Sequence, residues 1–356
     1  MPTEQLYIGD TLLTPQRLHT LPTPVPPTLR PLLSFLSEWW DPLTTHITAQ
    51  TSGSTGTPKQ IKLEKSAVRR SAQRTNQYFG ITKRQRLLLA MDLRYIGAKM
   101  MVVRAAIAGA ELVVVPPTSH PLATLSTPPH FVSLVPLQLH HTLETPSERQ
   151  LLSRVQQLII GGGAIHPHLL EWLDTLPIPA YATYGMTETI SHIALRRLNG
   201  THATQCYYPL DGVQLTLGTQ GELIIHDHLL FPNQPPIITN DLAEIHPDGG
   251  FVIKGRTDNI INTGGVKISP EQIEQTLSHI LRTPLAISWI PDSALGQKTV
   301  LILQADIIPD NLDTILQKHL PPYHRPKEVR LLPQLPHNPN GKLDRKALHR
   351  LLLSEE

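Results

Sequence analysis

Between residues 47 and about 190 the chain alternates short apolar runs with longer amphipathic stretches. The runs 87–90, 112–115, 131–135 and 158–160 are dense in Leu, Ile and Val, as strands buried on both faces are. Between such runs, 65–79 and 95–108 read as helices. Alternation of this type predicts a layered α/β domain. From about 205 to 255 the pattern changes. Segments 214–217, 222–226 and 251–253 are short alternating runs set between Gly, Asp and Pro, which predicts a small antiparallel or β-barrel-like unit.

A third section begins near Asp258. Ser269-Pro270-Glu271-Gln272 is a helix start, with Ser as N-cap and Pro at the first helical position. Ile273, Leu277 and Ile280 follow at helical spacing, 285–290 and 299–305 are strand candidates, and 312–320 and 343–353 are helix candidates. The expected organisation is a large N-terminal domain over 1–257 and a smaller, mobile α+β domain over 258–356.

Composition narrows the function. At 356 residues the chain has length for two cores. A net charge of +2 without a polybasic run gives no reason to expect nucleic-acid or membrane-surface binding. The most apolar stretch, 100–115, contains Arg104 and Glu111 and is too short to span a bilayer. Residues 1–12 carry acidic groups and no apolar core, unlike a secretory signal. The single Cys206 excludes an internal disulfide and fits a reducing compartment, so a soluble cytoplasmic protein is expected. The 34 prolines, well above the usual share of about 5%, are scattered and read as long rigid connections.

The chemistry sits in five motifs. Thr51-Ser52-Gly53-Ser54-Thr55-Gly56-Thr57-Pro58-Lys59 holds two glycines, five hydroxyls and a lysine. Backbone N–H groups, hydroxyls and one cation can wrap a polyphosphate, and glycine lets the backbone come close. It is not a Walker A loop, because Pro58 stands where that motif has glycine. Taken alone it also reads as a surface turn. Gly161-Gly162-Gly163-Ala164 follows the apolar run 158–160, a strand–glycine–helix edge where a nucleotide can meet backbone, although tight packing turns use glycine too. Tyr184-Gly185-Met186-Thr187-Glu188-Thr189 offers a ring for a base, a hydroxyl for a phosphate and a hard oxygen ligand for Mg²⁺, or a turn facing water. In the run from Thr239 to Glu274, Asp241 could accept both hydroxyls of a ribose with help from Arg256, and Thr263-Gly264-Gly265-Val266-Lys267-Ile268 follows. Asn338-Pro339-Asn340-Gly341-Lys342-Leu343-Asp344-Arg345 holds Lys342 at the tip of a Pro/Asn/Gly turn; a lone lysine there also reads as a solvated helix start.

In this order, the motifs resemble the successive core motifs of the adenylate-forming superfamily: acyl-CoA synthetases, peptide-synthetase adenylation domains and luciferases. The likeness runs from about residue 47 to the end. Within the superfamily, the short chain, the segment YGMTETISHIAL and the segment YIGAKMMVVRA resemble compact bacterial ligases that join o-succinylbenzoate to CoA in menaquinone biosynthesis. The family usually carries a longer segment ahead of the phosphate loop, which begins here at Thr51, so the first subdomain is expected to be abbreviated and the usual homodimer surface altered. Asn240 stands where glycine is common before the ribose-binding aspartate.

The resemblance implies ATP, Mg²⁺ and coenzyme A. A carboxylate would attack the α-phosphate and release pyrophosphate; a pantetheine thiol would then attack the acyl-adenylate and release AMP. It puts Lys342 between the acid and the α-phosphate, Thr187 on the α-phosphate and Glu188 on Mg²⁺. Thr51, Ser52, Gly53, Ser54, Thr55, Gly56 and Lys59 would grip the β- and γ-phosphates. Tyr184 with Gly185 would hold adenine beside Gly161, Gly162, Gly163 and Ala164, and Asp241 with Arg256 the ribose. Because Lys342 would block the thiol, the small domain would swing about a hinge at Asp258 and bring Gly264, Gly265 and Lys267 to the CoA channel. A dicarboxylate substrate needs a second cation. Lys99 and Arg104 are the candidates, with Tyr95, Ser191 and His192 as pocket walls; exposed helix charge is the plain alternative for both cations. The competing functions are loading of a carrier protein, ligation of another aromatic acid, and mere nucleotide binding. The last sits badly with the presence of Lys342, Glu188, Asp241 and Arg256.

Overall fold

The computed structural model describes residues 4–18, 24–51, 59–338 and 342–354. Its α-helices are α1 (Arg30–Trp40), α2 (Lys65–Phe79), α3 (Ile96–Ala108), α4 (Pro136–Glu144), α5 (Pro146–Leu152), α6 (Pro167–Asp174), α7 (Pro270–Leu281), α8 (Leu312–His319) and α9 (Arg345–Ser354). The chain divides into two compact units. The first holds Met1–Gly163, Trp172–Gln214 and His226–Ile237; the second holds Ala164–Glu171, Leu215–Ile225 and Ile238–Glu356.

The first unit is built on a nine-stranded sheet. Its order runs Tyr208–Pro209, Ser191–Arg197, Ala180–Met186, Gln157–Ile160, Phe131–Leu134, Arg86–Leu89, Glu111–Val114, Leu6–Ile8, Thr11–Leu13. From Ala180–Met186 to Leu6–Ile8 neighbouring strands are parallel, and antiparallel strands close both edges. Four of these six parallel strands are the apolar runs of the sequence, found within a residue or two of their expected limits; Leu6–Ile8 and Ala180–Met186 were not among the expected runs. Residues 158–160 end at the carboxyl edge, where the crevices of open α/β sheets bind ligands.

Helices α2 and α3 pack into the same core as these strands. Helix α3 is apolar on nearly every side, and nine consecutive residues, 98–106, are buried. A helix of that kind belongs inside a protein, so its two cations, Lys99 and Arg104, are buried as well. That overturns their reading as exposed helix charge. A two-stranded hairpin, His46–Gln50 with Gln60–Glu64, flanks the phosphate loop.

The small β unit is a four-stranded sheet in chain order: Val213–Leu217, Glu222–Asp227, Ile237–Ile245, Phe251–Arg256. In the rest of the second unit, Val266–Ile268, Ile261–Thr263, Gly296–Gln304 and Leu285–Asp292 form a sheet, and Glu328–Leu332 pairs in parallel beside Gly296–Gln304. Side chains alternate across a strand. Ile287, Leu301 and Leu303 therefore meet Ile273 and Leu277 of α7 and Leu312 and Leu316 of α8. Ala286, Ile290, Val300 and Ile302 meet Leu348 and Leu352 of α9.

Two sequence readings change. Five of the 34 prolines also start α-helices: α1, α4, α5 and α7 carry proline at one of their first two positions and α6 begins with Pro167. There the missing N–H is one that a helix start leaves unbonded anyway. Ser269 is the N-cap of α7 by position but makes no capping hydrogen bond. Its hydroxyl lies 3.0 Å from the Lys254 carbonyl and 3.1 Å from the Glu271 carboxylate.

Candidate active site

At the carboxyl edge of the large sheet, Ile160 pairs with Ala182, so Gly161 follows directly beside Thr183. A Cβ on Gly161 would lie 2.5 Å from Thr183 Oγ1, so a larger residue there would have to displace that hydroxyl. The Thr183 hydroxyl donates to the Ile160 carbonyl at 3.3 Å. Tyr184 stands half-buried on the other face of its strand, its ring 5.9 Å from that of Tyr207.

The turn after Tyr184 is tightly braced. Gly185 is directly opposite His192, and a Cβ there would sit 2.2 Å from the Ser191 carbonyl oxygen. Met186 N donates to Thr189 Oγ1 at 2.9 Å, and that hydroxyl is 2.8 Å from the Ser191 carbonyl. Ile190 N closes the turn on the Thr187 carbonyl at 3.0 Å. Ile190 and Ser191 have φ of +52° and +76°, a left-handed conformation that a β-branched residue adopts only when its surroundings force it. Strain of this kind gathers at functional turns. The turn leaves Thr187 nearly buried and sends the Glu188 carboxylate to solvent, with no ion-pair partner among the described residues. An uncommitted carboxylate fits Mg²⁺, which keeps several waters and takes one or two protein carboxylates beside substrate phosphates.

Ser52, Gly53, Ser54, Thr55 and Gly56 of the phosphate loop lie outside the described residues. Its two ends are joined: Thr51 N donates to the Lys59 carbonyl at 2.8 Å, and Lys59 N to Thr51 Oγ1 at 3.0 Å. Gln50, one residue before, bridges to Tyr95 at the start of α3.

Along α3 the two cations differ. The Lys99 ammonium is 3.3 Å from Glu38 Oε2 and 4.5 Å from the Phe35 ring, and burial holds its pKa down against the pull of Glu38. Arg104 is 1% exposed, and no carboxylate pairs with it among the described residues. Its Nη2 is 3.3 Å from Ser191 Oγ, its Nη1 3.7 Å from Met101 Sδ, and its Nε has no hydrogen-bond partner. Burial alone brings its pKa down to about 9, so it keeps its charge at neutral pH.

His192 lies beside this cation. Its pKa falls well below 6.5, first through burial and then through the charges of Arg104 and Arg74. Thr75 Oγ1 donates to the Ser71 carbonyl at 3.1 Å and faces His192 Nε2 at 3.2 Å, so the neutral ring carries its proton on Nε2. Glu38, Thr75 and Tyr207 were not singled out in the sequence. Each sits far along the chain from the motif it serves, in a segment with no motif of its own.

The second unit holds the ribose candidates. Asp241 and Arg256 are directly paired across antiparallel strands. Arg256 Nη1 donates to Asp241 Oδ1 at 2.8 Å, and its Nε and Nη2 clasp both oxygens of Asp258 at 2.8 Å each. These carboxylates raise the Arg256 pKa, the Asp258 hydrogen bond most of all. Asn240 Nδ2 reaches Asp258 Oδ2 at 3.3 Å, so the residue that departs from the family pattern touches the expected hinge. Lys342 N donates to Asn338 Oδ1 at 3.0 Å, and Asn338 N to the Lys342 carbonyl at 2.8 Å. Burial lowers the Lys342 pKa, the charge of Arg256 lowers it further, and Asp241 opposes both. Lys342, Arg256 and Asp241 therefore share one electrostatic neighbourhood. Ala164 also falls in this unit. Gly264 and Gly265 are the two central residues of a tight hairpin, at φ of +57° and +84°, and Lys267 is exposed beyond them. That turn demands glycine for its backbone alone.

A family profile described as AMP-binding enzyme matches residues 36–231, more than half of the chain. A Mycobacterium tuberculosis (strain CDC 1551 / Oshkosh) protein named "Probable 2-succinylbenzoate--CoA ligase" is 29% identical over 336 residues, spanning 86% of this chain and 84% of the relative. Among solved structures, an acyl-CoA synthetase (AMP-forming)/AMP-acid ligase II-like protein from Dyadobacter fermentans is 33% identical, with a TM-score of 0.63 over 94% of this chain and 97% of that one. The O-succinylbenzoate Coenzyme A Synthetase of Bacillus subtilis, 22% identical, shares the fold at a TM-score of 0.69 over 85% of this chain and 69% of that one. On the extent of the profile match, together with the strained turn and glycine crossing it contains, the chain belongs to the AMP-binding enzyme family.

Proposed function

We propose that this enzyme activates o-succinylbenzoate with ATP and passes the acyl group to coenzyme A. The observation that carries the choice of acid is Arg104. A guanidinium buried with no carboxylate beside it costs several kcal/mol unless an anion completes it. O-succinylbenzoate has two carboxylates. One would be activated, and the other would pair with Arg104, with Ser191 and neutral His192 as walls. Lys99, which Glu38 already neutralises, is the weaker candidate. The name of the Mycobacterium relative supports the same acid.

In the first step a substrate carboxylate oxygen attacks the α-phosphorus and the bond to pyrophosphate breaks. Negative charge gathers on phosphate oxygens, so positioned cations and hydroxyls do most of the catalysis. Lys342 would bridge the acid and the α-phosphate, Thr187 would donate to the α-phosphate, and Asp241 with Arg256 would hold the ribose. Glu188 would hold Mg²⁺, which when bound supplies positive charge to the phosphate oxygens. In the second step the CoA sulfur attacks the acyl carbon, AMP leaves with its oxygen, and the thiol proton passes to solvent. For this step the residues beyond Asp258 would turn as a body, taking Lys342 away and bringing Gly264, Gly265 and Lys267 to the thiol path. The lone, free Cys206 supports a reducing, cytoplasmic setting.

ATP–pyrophosphate exchange across a panel of acids tests the reading, with mass spectrometry of the CoA thioester as its second half. Exchange is expected with o-succinylbenzoate. In Arg104→Leu its KM should rise about 100-fold or more, given the loss of a buried ion pair, while the KM for ATP stays put. Exchange confined to monocarboxylic acids, or an unchanged KM in the variant, would sink the proposal.

A further inference from the structure

The sequence carries 18 histidines, and none of them serves a phosphate in the scheme above. Among the described residues one group of potential metal ligands has three donor atoms all within 4.8 Å of one another: His140, His141 and Glu144, on α4. The i,i+4 spacing stacks His140 and Glu144 on one face, with Nε2 and Oε2 3.3 Å apart. An ordinary surface pair would stop there. Here the ring of His141 also lies against that of His140, with centroids 5.3 Å apart.

The surroundings are built. The ring of His120 is 5.1 Å from that of His141. His120 Nδ1 is 2.7 Å from Glu148 Oε1, and Glu148, fully buried, also accepts Leu122 N at 3.0 Å. The buried carboxylate holds the His120 ring in place beside His141. Helix α4 is itself anchored: Gln138 Nε2 donates to the Ala90 and Thr118 carbonyls at 3.0 and 2.9 Å.

We propose that His140, His141 and Glu144 form a binding site for one divalent d-block cation, Zn²⁺ being the natural probe. Two imidazoles and a carboxylate are the donor set of three-ligand zinc sites, with water in the remaining position. The same set selects against Mg²⁺, which prefers oxygen ligands throughout. The ion would tie the carboxyl end of α4 together and take no part in adenylation. It would bind the native chain and raise its Tm by mass action.

The test is a calorimetric titration of the full chain, freed of metal by chelator and dialysis, with Zn²⁺ in the presence of Mg²⁺. One equivalent should bind with micromolar affinity, and His141→Ala and Glu144→Gln should each weaken it at least tenfold. Glu144 is exposed and His141 half-buried, so both variants should fold with the Tm of the metal-free parent. Co²⁺ in place of Zn²⁺ should give visible d–d bands without the thiolate charge-transfer band that Cys206 would produce. Adenylation by both variants without Zn²⁺ should match the parent. No saturable uptake, uptake that both variants retain, or a thiolate band would overturn the proposal. A loss of adenylation in metal-free variants that fold normally would overturn the site's separateness.

Discussion

Arg104 and His192 answer to one constraint: two groups that can both be cationic occupy one buried neighbourhood. The protein resolves it by keeping His192 neutral. The sign of the pH effect follows. Below pH 6.5 the unfolded chain takes up a proton that the folded chain refuses, so stability is full above that pH and falls as acid is added. The slope from one such group is about 1.4 kcal/mol per pH unit. His192→Gln should flatten it, seen as a smaller loss of urea midpoint between about pH 7.5 and 5.5 than in the parent. Equal losses would mean another group carries the acid sensitivity. Lys99→Ala should change the KM for o-succinylbenzoate only a few-fold, since Glu38 already meets that charge. A rise matching that of Arg104→Leu would return Lys99 to the acid pocket. These roles were only half legible in the sequence. The YIGAKMMVVR segment marked both cations, but only folding showed that Lys99 has Glu38 and that Arg104 has no carboxylate among the described residues.

Elements were easier to read where one interaction type decides them. Helix α2 follows from apolar periodicity, and four of the parallel strands and α3 from plain apolar density, which burial enforces directly. The turn after Tyr184 was legible as a motif but not as a shape. Its left-handed Ile190 and Ser191 depend on a strand crossing that no local pattern encodes. Two glycine substitutions separate packing from propensity. Gly185→Ala would drive a Cβ to 2.2 Å from a backbone oxygen, so a loss of about 2–3 kcal/mol in unfolding free energy and a sharp drop in exchange are expected. Gly97→Ala, inside α3, would meet nothing nearer than the Met91 thioether at 3.8 Å and should stabilise by about 0.5–1 kcal/mol. Thermal melts of the two proteins decide both points; a harmless Gly185→Ala would show that the crossing can relax.

For the whole molecule, the two half-reactions make separable demands, and Asp258 is where the proposal can be broken. It sits in a short 3₁₀ turn, Thr257–Asn259, clasped by Arg256 and touched by Asn240. Asp258→Pro should leave ATP–pyrophosphate exchange within a few-fold of the parent and abolish thioester formation, with Asp258→Ala as the control for the lost carboxylate. Lys342→Ala should do the reverse, stopping exchange while CoA still accepts the acyl group from supplied acyl-adenylate. If both half-reactions fail together in either protein, the hinge reading falls. The order of motifs suggests this proposed division of labour. The partition of strands did not follow from it, because residues 164–171 and 215–225 group with the later part of the chain through contacts distant in sequence.

The buried Arg104 of α3 has one more implication, for anyone who purifies the protein. On the proposed pairing with Arg104, the acid should behave as a missing piece of the interior as well as a reactant. O-succinylbenzoate alone, without ATP, should then raise the melting temperature, and Arg104→Leu should be indifferent to it.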